Sequence, residues 1–431
     1  TPLHSYLPFA HVDHVHPDAI IALAASSEGE AATKTIWGGA VGWLPWQRPG
    51  FDLGLKLRDY VAAHPGLRGV MLAGHGIICW GDSARTCYDN TIALITDAAN
   101  YLNAKLAGAP AFGGEIVAPR PAVDRASAAA KLMPLLRGLM GGRRVGHFAD
   151  DAETLEFTGS RNFAKLAAIG TSCPDHFLRT KIAPLVLDSA RIDDGAYLAE
   201  RIEAYRADYA AYYQRCARPN SPAMRDPNPV VVLVPGIGRM TFAGDKTTAR
   251  LAGEFYANAI NVMRGAEAIG AYVGLDEQEA FDIEYWLLEE AKLQRMPAEK
   301  ELARQVIIVI GAGSGIGKET AHRLVKDGAH IVCVDLNEDA AKATAKEITD
   351  KYGVGIGVAG SGISNCGQAI GLSANITDRA SIRVMLEQVA LALGGFDHIA
   401  VTAGIFVPSD TTGHIPDDKW ALTFNINVTG S

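Results

Sequence analysis

The pattern of apolar and polar residues is most distinctive in residues 305–335. Five consecutive β-branched residues follow Gln305, which is the pattern of a strand buried on both faces of a parallel sheet. A glycine-rich turn comes next, then a helix predicted over residues 318–327 and a second apolar strand over residues 331–334. This order predicts an α/β fold class, because a doubly wound parallel sheet begins with a strand, turn, helix and strand.

Two stretches further upstream share one order of predicted elements, namely strand, glycine turn, strand, cap and long helix. Their glycines and capping aspartates align with one residue inserted: Gly74 with Gly236, Gly76 with Gly238, Gly81 with Gly244, and Asp82 with Asp245. These pairs predict an internal repeat, although two such units could also look alike without being copies. Extending the alignment upstream places Val186 and Asp188 opposite His14 and His16, so the second copy is expected to lack the histidines of the first.

Prolines and small polar residues accumulate at three places, residues 110–130, residues 218–229 and Met296-Pro297. Only the first and the third are interpreted as domain boundaries. The predicted domains are therefore residues 1–118, residues 119–300 with the second copy of the repeat, and residues 301–431.

Histidines in the first copy form a pattern that is typical of a metal site. On a strand, the spacing of His14 and His16 places both imidazoles on one face, and His75 lies in a tight turn between Gly74 and Gly76. Three imidazoles with an open fourth position describe a catalytic zinc site, where the metal acts as a Lewis acid. Each histidine could instead have a structural role, and Asp13 could either orient a ligand or be a solvated acid.

Together, the His14-Val-His16-Pro17 run and the later Gly-His75-Gly turn resemble the class II aldolase/adducin family. The resemblance implies Zn²⁺ at His14, His16 and His75, and retro-aldol cleavage of a sugar phosphate through a zinc-stabilised enediolate. It also implies an acid/base carboxylate upstream, at or before Thr1, so the chain is expected to be truncated there.

Two other clusters near this pattern have open interpretations. Arg48, in an aromatic and proline-rich run, could contact a substrate phosphate or could be a solvent-exposed residue of a structural loop. The Cys173-Pro-Asp-His176 run could pass for a metal or nucleophile cluster, but it is expected to be structural.

Glycines after the buried strand of residues 306–310 follow the spacing GxxxGxG, through Gly311, Gly315 and Gly317. Such glycines permit a sharp turn and let the backbone approach a pyrophosphate, while the following helix offers its N-terminal amides. This spacing resembles the short-chain dehydrogenase/reductase family, as do Asp335, Asn375-Ile-Thr-Asp378, Thr402-Ala403-Gly404, Trp420 and Asn427-Val-Thr-Gly430.

The second resemblance implies a Rossmann sheet that binds NAD. Its cofactor-binding residues would be Gly311, Ser314, Gly315, Ile316, Gly317, Asp335, Asn375, Ile376, Ala403 and Gly404, and Asn427 would belong to the catalytic site. Two of the positions depart from the family, since Asn375 and Thr402 stand where aspartate and asparagine are usual. The family's serine and Tyr-x-x-x-Lys pair are expected beyond Ser431, so the chain as given should bind NAD poorly and should not transfer hydride.

Composition narrows the partners of the 431-residue chain. With 48% hydrophobic and 20% charged residues it is an ordinary globular sequence, and its formal net charge of −8 argues against nucleic acid or an anionic membrane as a partner. Scattered cysteines are typical of free thiols in a reducing cytoplasm: Cys79, Cys87, Cys173, Cys216, Cys333 and Cys366. Small molecules are the expected ligands.

The order of the regions resembles a family of bifunctional enzymes in which rhamnulose-1-phosphate aldolase is fused to an alcohol dehydrogenase. This implies cleavage of L-rhamnulose 1-phosphate to dihydroxyacetone phosphate and L-lactaldehyde, followed by NAD-dependent oxidation of the aldehyde. Two alternatives remain, an aldolase for another ketose phosphate fused to a sugar-alcohol dehydrogenase, and a non-catalytic scaffold. A homo-oligomer is expected from the resemblance alone.

Overall fold

The structure, a computed structural model, describes residues 2–108, 110–295, 297–352 and 367–430. Met296 of the proposed third boundary and Cys366 lie outside the described residues. The described part contains three four-stranded sheets, each flanked by helices. The predicted α/β class is therefore confirmed.

The first sheet has the strand order β1-β4-β3-β2, with β4 antiparallel to both β1 and β3, and β3 parallel to β2. Successive residues of β4 point to opposite faces of the sheet, so Ile77 packs into one hydrophobic core and Ile78 into a second. The strands are β1 (His11–Val15), β2 (Val41–Leu44), β3 (Gly69–Leu72) and β4 (Gly76–Gly81). The helices are α1 (Pro2–Ser5), α2 (Asp18–Ala24), α3 (Gly29–Trp37), α4 (Phe51–Ala63) and α5 (Ala84–Leu106).

The second sheet repeats this topology, with the order β5-β8-β7-β6 and the same parallel and antiparallel pairings. The strands are β5 (Val145–Ala149), β6 (Leu185–Val186), β7 (Val231–Val234) and β8 (Gly238–Ala243). The helices are α6 (Ala122–Met140), α7 (Ala152–Thr158), α8 (Phe163–Ile169), α9 (Pro174–Thr180), α10 (Gly195–Cys216), α11 (Lys246–Ile269) and α12 (Glu277–Glu284), with a 3₁₀ turn at Ala111–Gly113 before them. The predicted internal repeat is confirmed.

The upstream extension of the repeat alignment was wrong. Strand β5 pairs with β8 as β1 pairs with β4, and the register places Phe148 opposite Met240 where the first repeat has His14 opposite Ile78. The equivalent of His16 is therefore Asp150. Val186, which the alignment placed opposite His14, lies in β6, the counterpart of β2. The second repeat nevertheless lacks the three histidines, as expected.

The third sheet is entirely parallel and has the order β11-β10-β9-β12. Both faces of β9 are buried, because Ile307 packs into one core and Ile308 into the other. The strands are β9 (Val306–Ile310), β10 (His330–Asp335), β11 (Ala369–Ser373) and β12 (His398–Val401). Helix α13 (Leu287–Gln294) precedes this sheet, and the helices of the sheet are α14 (Gly315–Lys326), α15 (Glu338–Tyr352), α16 (Arg379–Leu393) and α17 (Asp417–Phe424), with a π-helical turn at Asn425–Thr429. Helix α14 begins one turn before the predicted Lys318, because the motif glycines form its first turn.

The two repeats exchange the segments that follow their long helices. After α5, the chain crosses to the second repeat, where the Arg120 amide donates to the Gly236 carbonyl over 2.9 Å. After α11, it returns to the first repeat, where the Val273 amide donates to the Ala25 carbonyl over 2.8 Å. The segment that follows the long helix of each repeat therefore forms backbone hydrogen bonds with the other repeat.

Candidate metal and cofactor sites

Three elements of the first repeat bring the predicted metal ligands together. His14 lies on β1, His16 directly follows that strand, and His75 lies in the turn between β3 and β4. The turn needs its glycines: Gly74 has a φ of +64°, and a Cβ on Gly76 would lie 2.5 Å from Cδ2 of His16. Only a glycine at position 76 allows the His16 ring to lie this close to the turn.

The three imidazoles face one another around a common point. The Nε2 atoms of His14 and His16 lie 3.1 Å apart, and the three donor nitrogens of His14, His16 and His75 lie within 4.8 Å of one another. The Nδ1 atom of His75 is buried and has no hydrogen-bond partner among the described residues. Converging nitrogens and a buried orphan donor atom fit a metal ion that three imidazoles hold.

Burial and mutual repulsion keep the rings of His14 and His75 uncharged. Burial, with the nearby His16, lowers the pKa of His14 to about 3, and burial with His14 lowers the pKa of His75 well below its usual 6.5. Neutral imidazole is the form that binds metal, so His14 and His75 are ready for a cation at neutral pH.

A carboxylate of the second repeat contacts the cluster. Nδ1 of His16 lies 2.7 Å from Oδ2 of Asp175 on α9, and the hydrogen bond from His16 lowers the pKa of that carboxyl. The sequence interpretation gave the Cys173-Pro-Asp-His176 run only a structural role and missed this contact across 159 positions. Cys173 keeps a structural role: its thiol donates to the His75 carbonyl over 3.7 Å, and burial raises its pKa to about 12.

Two other residues near the cluster differ from their expectations. Asp13 neither orients a histidine nor stands free in solvent, since its carboxylate accepts a 2.7 Å hydrogen bond from Thr91. Arg48 is paired with two carboxylates, since its guanidinium lies 2.9 Å from Glu279 and 2.5 Å from Asp282 of α12. Arg48 and Glu279 line a cavity of about 330 Å³.

The predicted dinucleotide turn is closely packed. A Cβ on Gly317 would lie 2.1 Å from the Gly311 carbonyl oxygen, and Gly311 has a φ of +91°. Ser314 is the N-cap residue of α14, but its side chain makes no capping hydrogen bond. Gly315 begins the helix with a φ of +54°, and the next residue, Ile316, is 79% exposed. The glycines close the turn, and the first turn of α14 faces solvent at the carboxyl end of β9.

Asp335 ends β10 beside this turn. Its carboxylate accepts hydrogen bonds from the Gly313 amide over 2.9 Å and from the Asn337 amide over 3.0 Å. In the loop after β11, the Asn375 side chain accepts a hydrogen bond from the Thr377 amide, and Ile376 lies 3.0 Å from where a Cβ on Gly430 would be. A single oxygen of Asn375 holds this loop, which explains why asparagine can replace the usual aspartate.

The loop after β12 contains Ala403 and Gly404, and it contacts Asn427 of the π-helical turn. The Thr402 hydroxyl donates to the Ile310 carbonyl over 2.8 Å, and the Ala403 amide donates to the same oxygen over 3.0 Å. The Asn427 amide group both donates to the Ile405 carbonyl and accepts from the Ile405 amide, and its oxygen lies 3.3 Å from where a Cβ on Gly404 would be. All the predicted cofactor residues thus lie at the carboxyl edge of the third sheet, where ligands of open α/β sheets bind.

Comparison with known protein families finds three matches along the chain. Residues 1–102 match the class II aldolase and adducin N-terminal domain, residues 127–293 match the class II aldolase second domain, and residues 305–431 match short chain dehydrogenase. The chain carries class II aldolase domains fused to a short-chain dehydrogenase domain. It thus contains a domain of a lyase family and a domain of an oxidoreductase family.

Individual relatives match the fused chain or its last third. An uncharacterized oxidoreductase of Bacillus subtilis, YuxG, is 34% identical over 100% of this chain and 61% of its own length. Trans-4-hydroxycyclohexanecarboxylate dehydrogenase of Sinomonas cyclohexanicum is 30% identical over 30% of this chain and 47% of its own. The crystal structure of hydroxysteroid dehydrogenase from Escherichia coli matches with 27% identity and a TM-score of 0.25, over 30% of this chain and 48% of that one. The chain therefore spans less than two thirds of each of these proteins.

Among the described residues, no helix combines the length and the apolar character that a membrane crossing requires.

Proposed function

We propose that this chain belongs to a bifunctional enzyme that cleaves L-rhamnulose 1-phosphate to dihydroxyacetone phosphate and L-lactaldehyde, and then oxidises the lactaldehyde with NAD. The observation that carries the aldolase half is the convergence of His14, His16 and His75 within 4.8 Å. The rhamnose substrate rests on the resemblance of the whole domain order to the bifunctional family.

In the aldolase half, His14, His16 and His75 would hold a zinc ion. When bound, the zinc would supply a Lewis acid that draws electrons from the ketose carbonyl and so favours breaking of the bond between the α and β carbons. The low pKa of His14, about 3, keeps that ring neutral and able to bind the metal. Burial of His75, which is 4% exposed, limits the access of water to the back of the site.

In the dehydrogenase half, residues at the carboxyl edge of the third sheet would bind NAD. The turn from Gly311 to Gly317 would hold the pyrophosphate through backbone amides, and Asp335 would accept hydrogen bonds from the adenosine ribose hydroxyls. Its negative charge disfavours the additional phosphate of NADP. Asn427, fixed by both backbone groups of Ile405, would support the catalytic site.

Fusion would pass a reactive aldehyde between sites at high local concentration. We place the enzyme in the cytoplasm, which is supported by free thiols at the five cysteines that the structure describes. The expected homo-oligomer stays a prediction, which analytical ultracentrifugation of the full-length protein checks.

The test is a lyase assay of the full-length protein on L-rhamnulose 1-phosphate, L-fuculose 1-phosphate and other ketose 1-phosphates. We expect the highest kcat/KM for L-rhamnulose 1-phosphate and NADH formation when lactaldehyde and NAD are supplied. Equal or better cleavage of another ketose phosphate would contradict L-rhamnulose 1-phosphate as the preferred substrate. No cleavage of any of these compounds would favour the non-catalytic scaffold.

A further inference from the structure

The second repeat contains a helix that the first repeat lacks. In the first repeat, residues 38–40 join α3 to β2, whereas in the second repeat residues 170–184 join the equivalent α8 to β6. The additional residues form α9 (Pro174–Thr180), which begins with a proline at its first turn. The insertion is therefore a feature of the repeat that has no histidine cluster of its own.

Helix α9 is anchored by packing and burial. It packs against α11 and α12, and His176, Phe177 and Thr180 are at most 3% exposed. At its N-terminal end, the Cys173 thiol donates to the backbone carbonyl of His75 in the first repeat. The start of the helix is thus attached directly to the turn that carries one of the three clustered histidines.

This attachment places one side chain of the helix on the histidine cluster. Oδ2 of Asp175 lies 2.7 Å from Nδ1 of His16, on the opposite edge of the ring from Nε2. Nε2 of the same ring lies 3.1 Å from Nε2 of His14. A carboxylate that accepts the Nδ1 proton leaves the Nε2 lone pair free and pointing at the common centre.

We propose that the inserted helix α9 completes the metal centre of the first repeat, and that Asp175 is a positioning residue that fixes the tautomer and ring orientation of His16. The inference rests on the proposed metal site at His14, His16 and His75. It gives the second repeat a role in the aldolase half: this repeat supplies the carboxylate, while its own equivalent positions, Phe148, Asp150 and Ile237, hold no imidazole.

Zinc affinity of the full-length protein tests this role without a catalytic readout. Removal of a carboxylate that orients a metal-binding histidine weakens metal affinity by about 10–100-fold. We expect a loss of this size in Asp175→Ala, measured by competition with a chromophoric zinc chelator. Asp175→Asn should lose less, because its amide oxygen still accepts the Nδ1 proton but carries no charge. Asp208→Ala, which changes an exposed aspartate on α10, is the matched control and should bind zinc like the wild type.

Cobalt spectra and apoprotein stability separate positioning from folding. With Co²⁺ in place of zinc, Asp175→Asn should shift the visible absorption bands while the urea midpoint of the apoprotein stays at the wild-type value. Wild-type zinc affinity and unchanged cobalt spectra in both Asp175 variants would overturn the positioning role and leave the metal site standing. No zinc binding by the wild type, or unchanged binding in His14→Ala, would instead overturn the metal site itself.

Discussion

The guanidinium of Arg125 pairs with the carboxylate of Asp150 over 2.8 Å. Asp150 occupies in the second repeat the position that His16 occupies in the first. A fixed cation therefore lies beside the second repeat's equivalent of a metal ligand. The other two equivalents, Phe148 and Ile237, offer no donor atom. These residues explain in physical terms why only the first repeat presents a metal cluster.

Loss of this pair should cost stability and leave metal binding unchanged. Arg125→Ala leaves Asp150 half-buried without its cation, and we expect a loss of about 1–3 kcal/mol in the free energy of unfolding. Urea unfolding of the full-length protein measures it, with zinc content determined in parallel. Arg85→Ala, which removes an exposed pair with Asp89, is the control and should change stability by less than about 0.5 kcal/mol. A loss of zinc from Arg125→Ala would contradict this account of the second repeat.

Asp335 should decide between the two nicotinamide cofactors. Asp335→Asn keeps an oxygen for the Gly313 amide but removes the charge that repels the phosphate of NADP. We expect NADH affinity to fall by about tenfold, the equivalent of one charged hydrogen bond, while NADPH affinity rises. Fluorescence titration with both cofactors measures the change, and Asp339→Asn on α15 is the control. An unchanged preference in Asp335→Asn would rule out this role.

Gly317 should tolerate no side chain. A Cβ there would lie 2.1 Å from the Gly311 carbonyl oxygen and 2.4 Å from the Thr402 hydroxyl, so the turn must open to admit it. Overpacking of this kind costs about 1–3 kcal/mol, and we expect Gly317→Ala to weaken NADH binding by about tenfold or more. Gly138→Ala on α6, where a Cβ meets nothing within 4 Å, should bind NADH normally. Equal binding by both variants would show that the dinucleotide does not depend on this turn.

A buried acid between α10 and α12 should give stability a pH dependence. Glu284 is 2% exposed and accepts hydrogen bonds from Tyr209 and Tyr212; burial raises its pKa above the usual 4.5. A group whose pKa is raised on folding contributes stability below its unfolded pKa and loses it as pH rises through the folded pKa. The contribution of Glu284 should therefore fall as pH rises above 4.5.

The Glu284→Gln variant tests this sign. The variant should lose the component of stability that declines above pH 4.5, so the difference in urea midpoint between wild type and variant should depend on pH. Exposed Glu200→Gln on the same helix as Tyr209 should follow the wild-type curve at every pH. A constant difference between Glu284→Gln and the wild type would contradict the raised pKa.

Local spacing made much of the fold and of the sites predictable. The buried run before Gly311, the GxxxGxG turn and the His14, His16 pair are set by strand and turn geometry over a few residues. The repeat was found because its glycine turns require glycine in both copies.

Features that depend on packing between distant segments were missed. Asp175 meets His16 only because an inserted helix crosses from one repeat to the other. Strand β5 was not recognised as the counterpart of β1, since it is defined by its register with β8. Arg48 was assigned to a phosphate or to solvent because its partners, Glu279 and Asp282, lie more than two hundred positions away.

The metal content of the full-length protein tests the central claim, a zinc-dependent aldolase site in the first repeat, most directly. Elemental analysis of protein purified without added metal should give about one zinc per chain, and His14→Ala and His75→Ala should lose it. Exposed His64→Ala should retain it. No zinc in the wild type, or zinc retained in both His14→Ala and His75→Ala, would contradict the account.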